Sequence, residues 1–348
     1  MNKPIKVGLI GYGFAGKTFH VPFITTIEGF QLSAIVSSDE QKVKKDWPNV
    51  PVFASLEQLL AEQPEVDLIV IPTPNKTHFP LAKQALEAGK HVIVDKPFTL
   101  TVQEAITLKQ QAQEKGKLLS VYHNRRWDSG FLTVKSLLEN QTLGELKYYE
   151  SHFDRYRPEA RQRWRESNEA GSGLWYDLAP HMLDQVLQLF DKPKSIMADI
   201  AMIRPNAEAV DYFHVCLNYS TIKVVLHATT VAAAESPVYL LHGMKGSYIK
   251  YGLDPQEECL KAGQLPTAEN WGKDSRNGSV TLSQNGELTV KPLETEQGNY
   301  GLYYCAIREA INNAAPNPVT AEEAILVMKL IEAGIESAKT QHTVELAL

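Results

Sequence analysis

The chain has 348 residues, enough for two domains, and its apolar (43%), aromatic (9%) and charged (22%) fractions are ordinary for a folded protein. These fractions exclude a disordered chain, a collagen and a coiled coil. The 35 Lys and Arg residues are outnumbered by 41 Asp and Glu residues, which gives a net charge of −6 and argues against nucleic acid as a main partner.

The three cysteines, Cys216, Cys259 and Cys305, lie far apart and form no CxxC pair. Their odd number and wide spacing indicate neither a disulfide framework nor a zinc site, and favour a reducing compartment. No apolar run approaches the roughly 18 residues of a membrane span, and the N-terminus lacks the pattern of a signal peptide. We therefore expect a cytoplasmic protein with no membrane partner and no metal.

The first 120 residues alternate short apolar runs with helical stretches. Parallel strands buried on both faces are predicted at 5–11, 32–36, 66–71, 91–95 and 118–122. Helix starts are indicated by capping boxes at Ser55 and Thr101, and helix ends by Gly89 and Gly116. The pattern predicts an α/β fold class, with a doubly wound parallel sheet of the Rossmann type over residues 1–122.

From residue 123 onward, longer stretches with alternating apolar residues replace this pattern. They predict a mainly antiparallel open sheet, and Asn285-Gly286 is typical of a type I′ hairpin turn. Helices are expected near 173–190, 299–314 and 320–339, the last behind a capping box at Thr320 and Glu323. We expect an α+β domain over 123–348 that binds substrate and forms oligomers. Its outer sheet face would carry Tyr212, Val215 and Val225.

A glycine-rich turn follows the first predicted strand and opens a helical stretch. It reads Gly11-Tyr12-Gly13-Phe14-Ala15-Gly16. In a GxGxxG of this context the first glycine allows the tight turn, the second lets the backbone approach a pyrophosphate, and the third lets helix and strand pack closely. The alternative is a flexible glycine-rich loop. The strand before it and the helix after it favour a nicotinamide dinucleotide as cofactor.

The end of the second strand carries Ser37 and Ser38, where an NAD-binding protein usually has Asp or Glu. A short hydroxyl removes the repulsion that would exclude a 2′-phosphate, and Lys42 follows closely. Asp39 favours NAD instead, and Lys42 is explained equally well as part of an ordinary solvated run of lysines. We predict NADP in preference to NAD.

Two groups of polar residues have the chemistry of alcohol oxidation. Lys96 follows the fifth strand directly, and Pro97 stops that strand at the edge where open α/β sheets bind ligands. Asp177 and His181 share one face of a predicted helix, and Pro180 places both in its first turn. A histidine can take the proton of an alcohol, and a lysine can stabilise the alkoxide. The alternative for each is a solvated or half-buried side chain without a catalytic role.

Further polar residues adjoin these two groups. Asp184 could orient His181 from the other side. The segment from His152 to Arg165 contains Asp154, Arg155 and Arg157; it forms either a pocket for hydroxyls or an anionic group, or a set of surface ion pairs.

Five short segments, in this order, resemble the Gfo/Idh/MocA oxidoreductases, a family that includes glucose-fructose oxidoreductase and the inositol dehydrogenases. They are GLIGYGFAG ending at Gly16, Thr73-Pro74-Asn75 with His78, Asp95-Lys96-Pro97, Tyr122-His123-Asn124-Arg125-Arg126, and the run from Asp177 to His181. Most members have Glu in place of Asp95. The resemblance covers essentially the whole chain and is greatest for the scyllo-inositol dehydrogenase-like branch.

The resemblance implies a function and a set of site residues. It implies hydride transfer between the nicotinamide and a secondary alcohol of a cyclic polyol or sugar, with a homo-oligomer (dimer or tetramer) formed through the C-terminal sheet. Lys96, Asp177 and His181 would be catalytic. Thr73, Pro74, Asn75, His78, Asp95 and Lys96 would join the glycine turn, Ser37, Ser38 and Lys42 in binding the cofactor, and Lys96, His123, Asn124, Arg155, Asp177 and His181 would bind substrate. The alternatives are reduction of another carbonyl, such as a dihydrodiol or sugar acid, and a non-catalytic nucleotide-binding regulator.

Overall fold

Short apolar strands and capped helices build the first third of the chain, and antiparallel strands dominate the remainder. In the computed structural model, which describes residues 3–348, the strands are β1 (Ile5–Ile10), β2 (Phe30–Val36), β3 (Val52–Phe53), β4 (Leu68–Ile71), β5 (His91–Val94), β6 (Leu119–Val121), β7 (Leu146–His152), β8 (Ser195–Ala201), β9 (Tyr212–Asn218), β10 (Lys223–Thr229), β11 (Pro237–Gly243), β12 (Gly246–Tyr251), β13 (Gly278–Gln284), β14 (Glu287–Leu293) and β15 (Val344–Glu345). The α-helices are α1 (Val21–Thr26), α2 (Glu40–Asp46), α3 (Leu56–Glu62), α4 (His78–Glu87), α5 (Val102–Lys115), α6 (Ser129–Glu139), α7 (Gly173–Phe190), α8 (Gln256–Lys261), α9 (Gly301–Asn313) and α10 (Ala321–Thr340).

The chain divides into two units whose segments interleave. The first comprises the chain up to Asn124, Gln256–Trp271 and Asn299–Ile325, and the second comprises Arg125–Pro255, Gly272–Gly298 and Leu326–Leu348. The sequence-based division into 1–122 and 123–348 followed chain order and did not include the two later segments in the first unit. Aromatic contacts attach them there: the Tyr304 hydroxyl lies 2.7 Å from His20 Nδ1, and Trp271 packs edge-on against Phe23.

Strands β1 to β6 form the sheet of the first unit. Their order is β3-β2-β1-β4-β5-β6, all parallel, which is the arrangement of a Rossmann fold. Every residue of β4 is buried, as expected for a strand covered on both faces. The predicted capping box of Thr101 and Glu104 is present in full, and α5 ends at Gly116, whose φ is +61°. The predicted fold class is confirmed.

The second unit contains a nine-stranded sheet in the order β14-β13-β12-β11-β7-β10-β9-β8-β15. Only the pair β7 and β10 is parallel among its described strands, so the sheet is mainly antiparallel, as predicted. The turn between β13 and β14 has positive φ at both Asn285 (52°) and Gly286 (85°), as a type I′ turn requires.

The two faces of this sheet have different surroundings. On β9, Phe213, Val215 and Leu217 are buried, and the Phe213 ring meets Trp175 of α7 at 5.2 Å. Tyr212 and Cys216 are half-buried on the opposite face, which we call the outer face. The expectation that Val215 lies on the outer face is therefore wrong; the alternation along β9 places it against α7.

Among residues 3–348, no helix is long and apolar enough to span a membrane.

Candidate active site

The glycine-rich turn after β1 has the geometry of a dinucleotide-binding turn. Gly11 has a φ of +101°, a conformation that a side chain would strain. A Cβ on Gly16 would lie 2.3 Å from the carbonyl oxygen of Gly11, whereas a Cβ on Gly13 would meet no described atom within 4 Å. The outer two glycines therefore allow the turn to close, and the middle one faces open space, where a pyrophosphate could approach the backbone. Phe14, 57% exposed, and the half-buried Ala15 follow.

The end of β2 lies beside this turn, because the Gly11 N–H donates to the carbonyl of Val36 at 2.8 Å. Ser37 comes next and its hydroxyl accepts from the Asp39 N–H at 3.1 Å. The Asp39 carboxylate accepts from the Lys42 N–H at 2.9 Å and so caps α2. Asp39, the residue that favoured NAD in the sequence analysis, therefore caps a helix, a role that its position at a helix N-terminus could have indicated. Ser38 and Lys42 are exposed.

The loop after β4 contacts the glycine turn through Thr73, whose Cγ2 would lie 3.1 Å from a Cβ on Gly11. Pro74 is exposed and Asn75 is buried. His78 is fully buried, with Nδ1 2.8 Å from the carbonyl of Pro97 and Nε2 2.9 Å from that of Thr73. Both ring nitrogens face backbone carbonyls, so His78 links the loops after β4 and β5, and its role in binding the cofactor stays a prediction. Burial lowers the pKa of this imidazole, which favours the neutral ring.

The loop after β5 presents Asp95 and the half-buried Lys96. One Asp95 carboxylate oxygen accepts from the Lys96 N–H at 2.7 Å, and the other lies 3.7 Å from His20 Nε2. Burial alone would raise the pKa of Asp95, but the neighbouring His20 imidazole and the charge of Lys96 lower it overall. The carboxylate is therefore ionised at neutral pH.

Sequence reasoning missed the residues behind Asp95. His20 is fully buried, and its other ring nitrogen lies 2.7 Å from the hydroxyl of Tyr304. Its ring also packs 4.4 Å from that of Tyr122. These partners are separated by up to 284 positions in the chain, and no local pattern connects them.

Helix α7 positions Asp177 and His181 one turn apart in the second unit. Asp177 is half-buried and His181 is 6% exposed. The helix begins at Gly173, so Pro180 lies in its interior and the expectation that it marks the first turn is wrong. Pro180 cannot donate to the carbonyl four residues earlier, but most of its neighbours on this helix are buried, and packing offsets the lost hydrogen bond.

Asp184, considered as a group that orients His181, binds an arginine. Its two carboxylate oxygens accept from Arg126 Nε at 2.9 Å and Nη2 at 2.7 Å. Both side chains are buried, and the bidentate pair fixes the first residues of the second unit against α7.

The segment after β7 divides between the two faces of the sheet. His152 lies on the outer face, 2.7 Å from Glu150 and 3.1 Å from Asp154, and so does not join Asp177. Arg155 lines the same small pocket as Asp177. The ion pairs of His152 agree with one of the two arrangements that the sequence left open, and a substrate pocket at Arg155 stays a prediction.

The remaining expected site residues are His123 and Asn124, at the end of the first segment of the first unit. His123 is 2% exposed and Asn124 is half-buried. Within the first unit, the structure thus brings together the glycine turn, Ser37, Thr73 and the Asp95–Lys96 loop at one sheet edge. Within the second unit, α7 carries Asp177 and His181 one turn apart, and Arg155 lines the same pocket as Asp177.

Known proteins match this chain over its whole length. Residues 5–123 match the profile described as an oxidoreductase family NAD-binding Rossmann fold, and residues 135–346 match the C-terminal alpha/beta domain of the same family. The oxidoreductase YdgJ of Escherichia coli (strain K12) is 56% identical over 347 residues, 100% of both chains. The enzyme scyllo-inositol 2-dehydrogenase (NADP(+)) IolW of Bacillus subtilis (strain 168) is 41% identical over 98% of this chain and 96% of its own.

Solved structures agree with these matches. A protein from Yersinia pestis, 56% identical, covers 100% of this chain and 99% of its own with a TM-score of 0.96. The Bacillus subtilis protein YvaA, 41% identical, covers 99% of both chains with a TM-score of 0.95. The resemblance seen in the sequence is therefore confirmed: the chain belongs to the Gfo/Idh/MocA family of oxidoreductases with an NAD(P)-binding Rossmann domain.

Proposed function

We propose that the protein transfers hydride between a nicotinamide dinucleotide, NADP in preference to NAD, and a secondary alcohol of a cyclic polyol or sugar. The observation that carries the proposal is the glycine turn, in which Gly13 alone of the three glycines faces open space. The name of the 41% identical relative, a scyllo-inositol dehydrogenase that uses NADP, supports the substrate class.

The residues present fit a dinucleotide. The backbone at Gly13 is open to a pyrophosphate, and the Asp95–Lys96 loop shares the sheet edge with the glycine turn. The cofactor supplies the hydride acceptor, or the donor in the reverse direction.

In this proposal each predicted catalytic residue has a defined role. His181 accepts the hydroxyl proton at an imidazole nitrogen, and the Lys96 ammonium stabilises the negative charge that develops on the alcohol oxygen. Asp177 accepts a hydrogen bond from a neighbouring hydroxyl and so orients the ring of the substrate. Asp95, held ionised beside His20, positions Lys96 through its backbone N–H.

The preference for NADP rests on Ser37 and Asp39. Ser37 carries no charge, and the Asp39 carboxylate is engaged by the N-terminus of α2. A ribose 2′-phosphate next to Ser37 would therefore meet less negative charge than in a protein with a carboxylate at that position.

The experiment is a screen of cyclic polyols and sugars with NADP and with NAD, read at the nicotinamide absorbance. We expect turnover with scyllo-inositol or a related polyol and a higher kcat/KM for NADP. The Ser37→Asp variant should shift kcat/KM towards NAD, because a carboxylate repels a 2′-phosphate and accepts from a 2′-hydroxyl. A wild-type protein that already uses NAD better than NADP would contradict the preference, and no turnover with any alcohol would contradict the function.

A further inference from the structure

A cluster of arginine side chains surrounds Asp177 in the second unit. Five arginines line this pocket: Arg155, Arg157, Arg163, Arg165 and Arg204. Its acidic lining residues are Glu166, Asp177 and Asp211. Five positive charges against three negative charges leave a net charge of +2, although the whole chain carries −6.

The three carboxylates of this pocket form ion pairs with only some of its arginines. Arg204 binds Asp211 at 2.8 Å and Glu166 at 3.0 Å, and Glu166 also accepts from Arg163 at 2.7 Å. Arg165 lies 3.5 Å from Asp177. Three arginines thus account for all three carboxylates.

Arg155 and Arg157 carry the excess charge. Among residues 3–348, no carboxylate lies within 4.0 Å of either guanidinium group. Both side chains are half-buried, whereas Arg161 on the same segment is exposed and does not line the pocket. Burial lowers the pKa of Arg157, and the charges of Arg155 and Arg163 lower it further, which reflects the concentration of like charge.

Backbone hydrogen bonds fix the segment that carries these two arginines. The Arg155 N–H donates to the Thr229 carbonyl at 2.9 Å, and the Arg157 N–H donates to the Thr230 carbonyl at 2.6 Å. The segment over residues 155–157 is therefore held by backbone hydrogen bonds alongside the end of β10. The planar guanidinium group is suited to two-point recognition of a carboxylate or a phosphate.

We propose that Arg155 and Arg157 bind an anionic group of the substrate, so that the substrate is an acidic sugar or polyol with a carboxylate or phosphate on the same molecule as the reacting hydroxyl. This inference rests on the proposed function for the reacting hydroxyl. A neutral polyol would leave the two guanidinium groups without a counter-charge in a half-buried pocket, whereas an acid would neutralise them.

The test compares three ligands that share one carbon chain: D-glucitol, D-gluconate and D-glucitol 6-phosphate. Isothermal titration of the full chain should show that at least one acid binds about tenfold or more tightly than D-glucitol, as charge-assisted hydrogen bonds predict. The acid that binds more tightly identifies the anion as carboxylate or phosphate. The Arg155→Gln/Arg157→Gln variant should lose this selectivity, so that it binds the two acids no more tightly than D-glucitol.

Two further variants control for folding and for general charge. Arg161→Gln removes one exposed arginine from the same segment and should retain the selectivity. Arg157→Lys keeps the positive charge but loses the two-point geometry of the guanidinium group, so it should bind the acid with an affinity between those of wild type and the double variant. Its Tm should equal that of wild type. Equal binding of all three ligands, or selectivity that survives the double variant, would overturn the proposal.

The outcomes also separate this inference from the proposed function. Turnover of neutral polyols with NADP, unchanged in the double variant, would uphold the proposed function and overturn the anion site. Selective acid binding without any nicotinamide-dependent turnover would uphold the anion site and overturn the proposed function.

Discussion

At the scale of single residues, the two glycines Gly13 and Gly16 lie three positions apart but should respond oppositely to substitution. A side chain at Gly13 extends into open space, so Gly13→Val should keep the wild-type Tm while cofactor affinity falls by an order of magnitude or more. A Cβ at Gly16 would collide with the Gly11 carbonyl at 2.3 Å, so Gly16→Ala should lower the Tm. Calorimetry and a cofactor titration of both variants provide the measurement. Unchanged cofactor affinity of a folded Gly13→Val would show that the cofactor does not approach this turn.

The proposed chemistry at Lys96 and His181 is a second expectation at this scale. Lys96→Met and His181→Ala should each lower kcat by about 10² to 10⁴, since positioned acid–base catalysis is typically worth that much. The double variant should lose less than the product of the two losses if the groups act as one unit. His181→Ala should bind the cofactor nearly as well as wild type, because His181 belongs to the second unit. Alcohol oxidation by His181→Ala at a near-wild-type rate would transfer the role of base to another residue, with Asp177 the next to replace.

Residues with a role in local geometry were more readily predicted from the sequence than residues with distant partners. Gly11 and Gly16 follow from the strand, turn and helix context, and their expected roles match the contacts found. The local pattern around His78 could not show that its ring lies between the loops after β4 and β5. His20 was missed because its partner Tyr304 is 284 positions away.

At the scale of an element, β7 presents a histidine held by two acids on the outer face. Burial alone would lower the pKa of His152, but the hydrogen bonds and charges of Asp154 and Glu150 raise it overall. The neighbouring ring of His227, 5.0 Å away, has a pKa lowered by burial and adds little competing charge. A raised pKa in the folded state contributes stability that is complete below the unfolded value of about 6.5 and is lost as pH rises through the folded value.

The raised pKa of His152 in the folded state predicts a pH dependence of the Tm. The Tm difference between wild type and His152→Gln should be larger at pH 6 than at pH 8.5, by about 2 °C if the interaction is worth about 1 kcal/mol. His242→Gln serves as the matched control, because it replaces an exposed histidine of the same sheet whose bonded partner is the Ser247 hydroxyl, at 2.8 Å. A Tm difference independent of pH would mean that His152 is not charged in this position.

Elements with local signals were predicted well, and elements that depend on packing were not. The hairpin at Asn285-Gly286 and the capping boxes at Thr101 and Thr320 follow from local backbone requirements, and the structure contains all three. The predicted bounds of α7, 173–190, agree with the structure, but Pro180 was wrongly placed in its first turn, because buried contacts on both sides of Pro180 stabilise a helix that begins seven residues before it. Assignment of α9 to the first unit depends on aromatic packing that periodicity does not encode.

At the scale of the whole molecule, the outer face of the nine-stranded sheet determines the expected assembly. Strand pairing aligns Met197 with Cys216 and Val225 on this face, and Val290 and Leu288 of β14 lie on the same side of the sheet. Met197 is 52% exposed, Val290 66% and Leu288 72%. An exposed apolar sheet face of this kind is typical of a surface covered by a protein partner.

We expect this face to associate with the same face of a second copy, because a face that pairs with itself closes a two-fold dimer and leaves no apolar strand open. Sedimentation at micromolar concentration should show a dimer or tetramer for wild type. Leu288→Glu/Val290→Glu should shift the population towards monomer, since the interface would then bury unpaired carboxylates. Met244→Glu replaces a residue that is equally exposed, at 69%, but lies in the turn between β11 and β12, so it should leave the assembly unchanged. A wild-type monomer, or a Leu288→Glu/Val290→Glu variant that assembles as wild type does, would show that this face is not the interface.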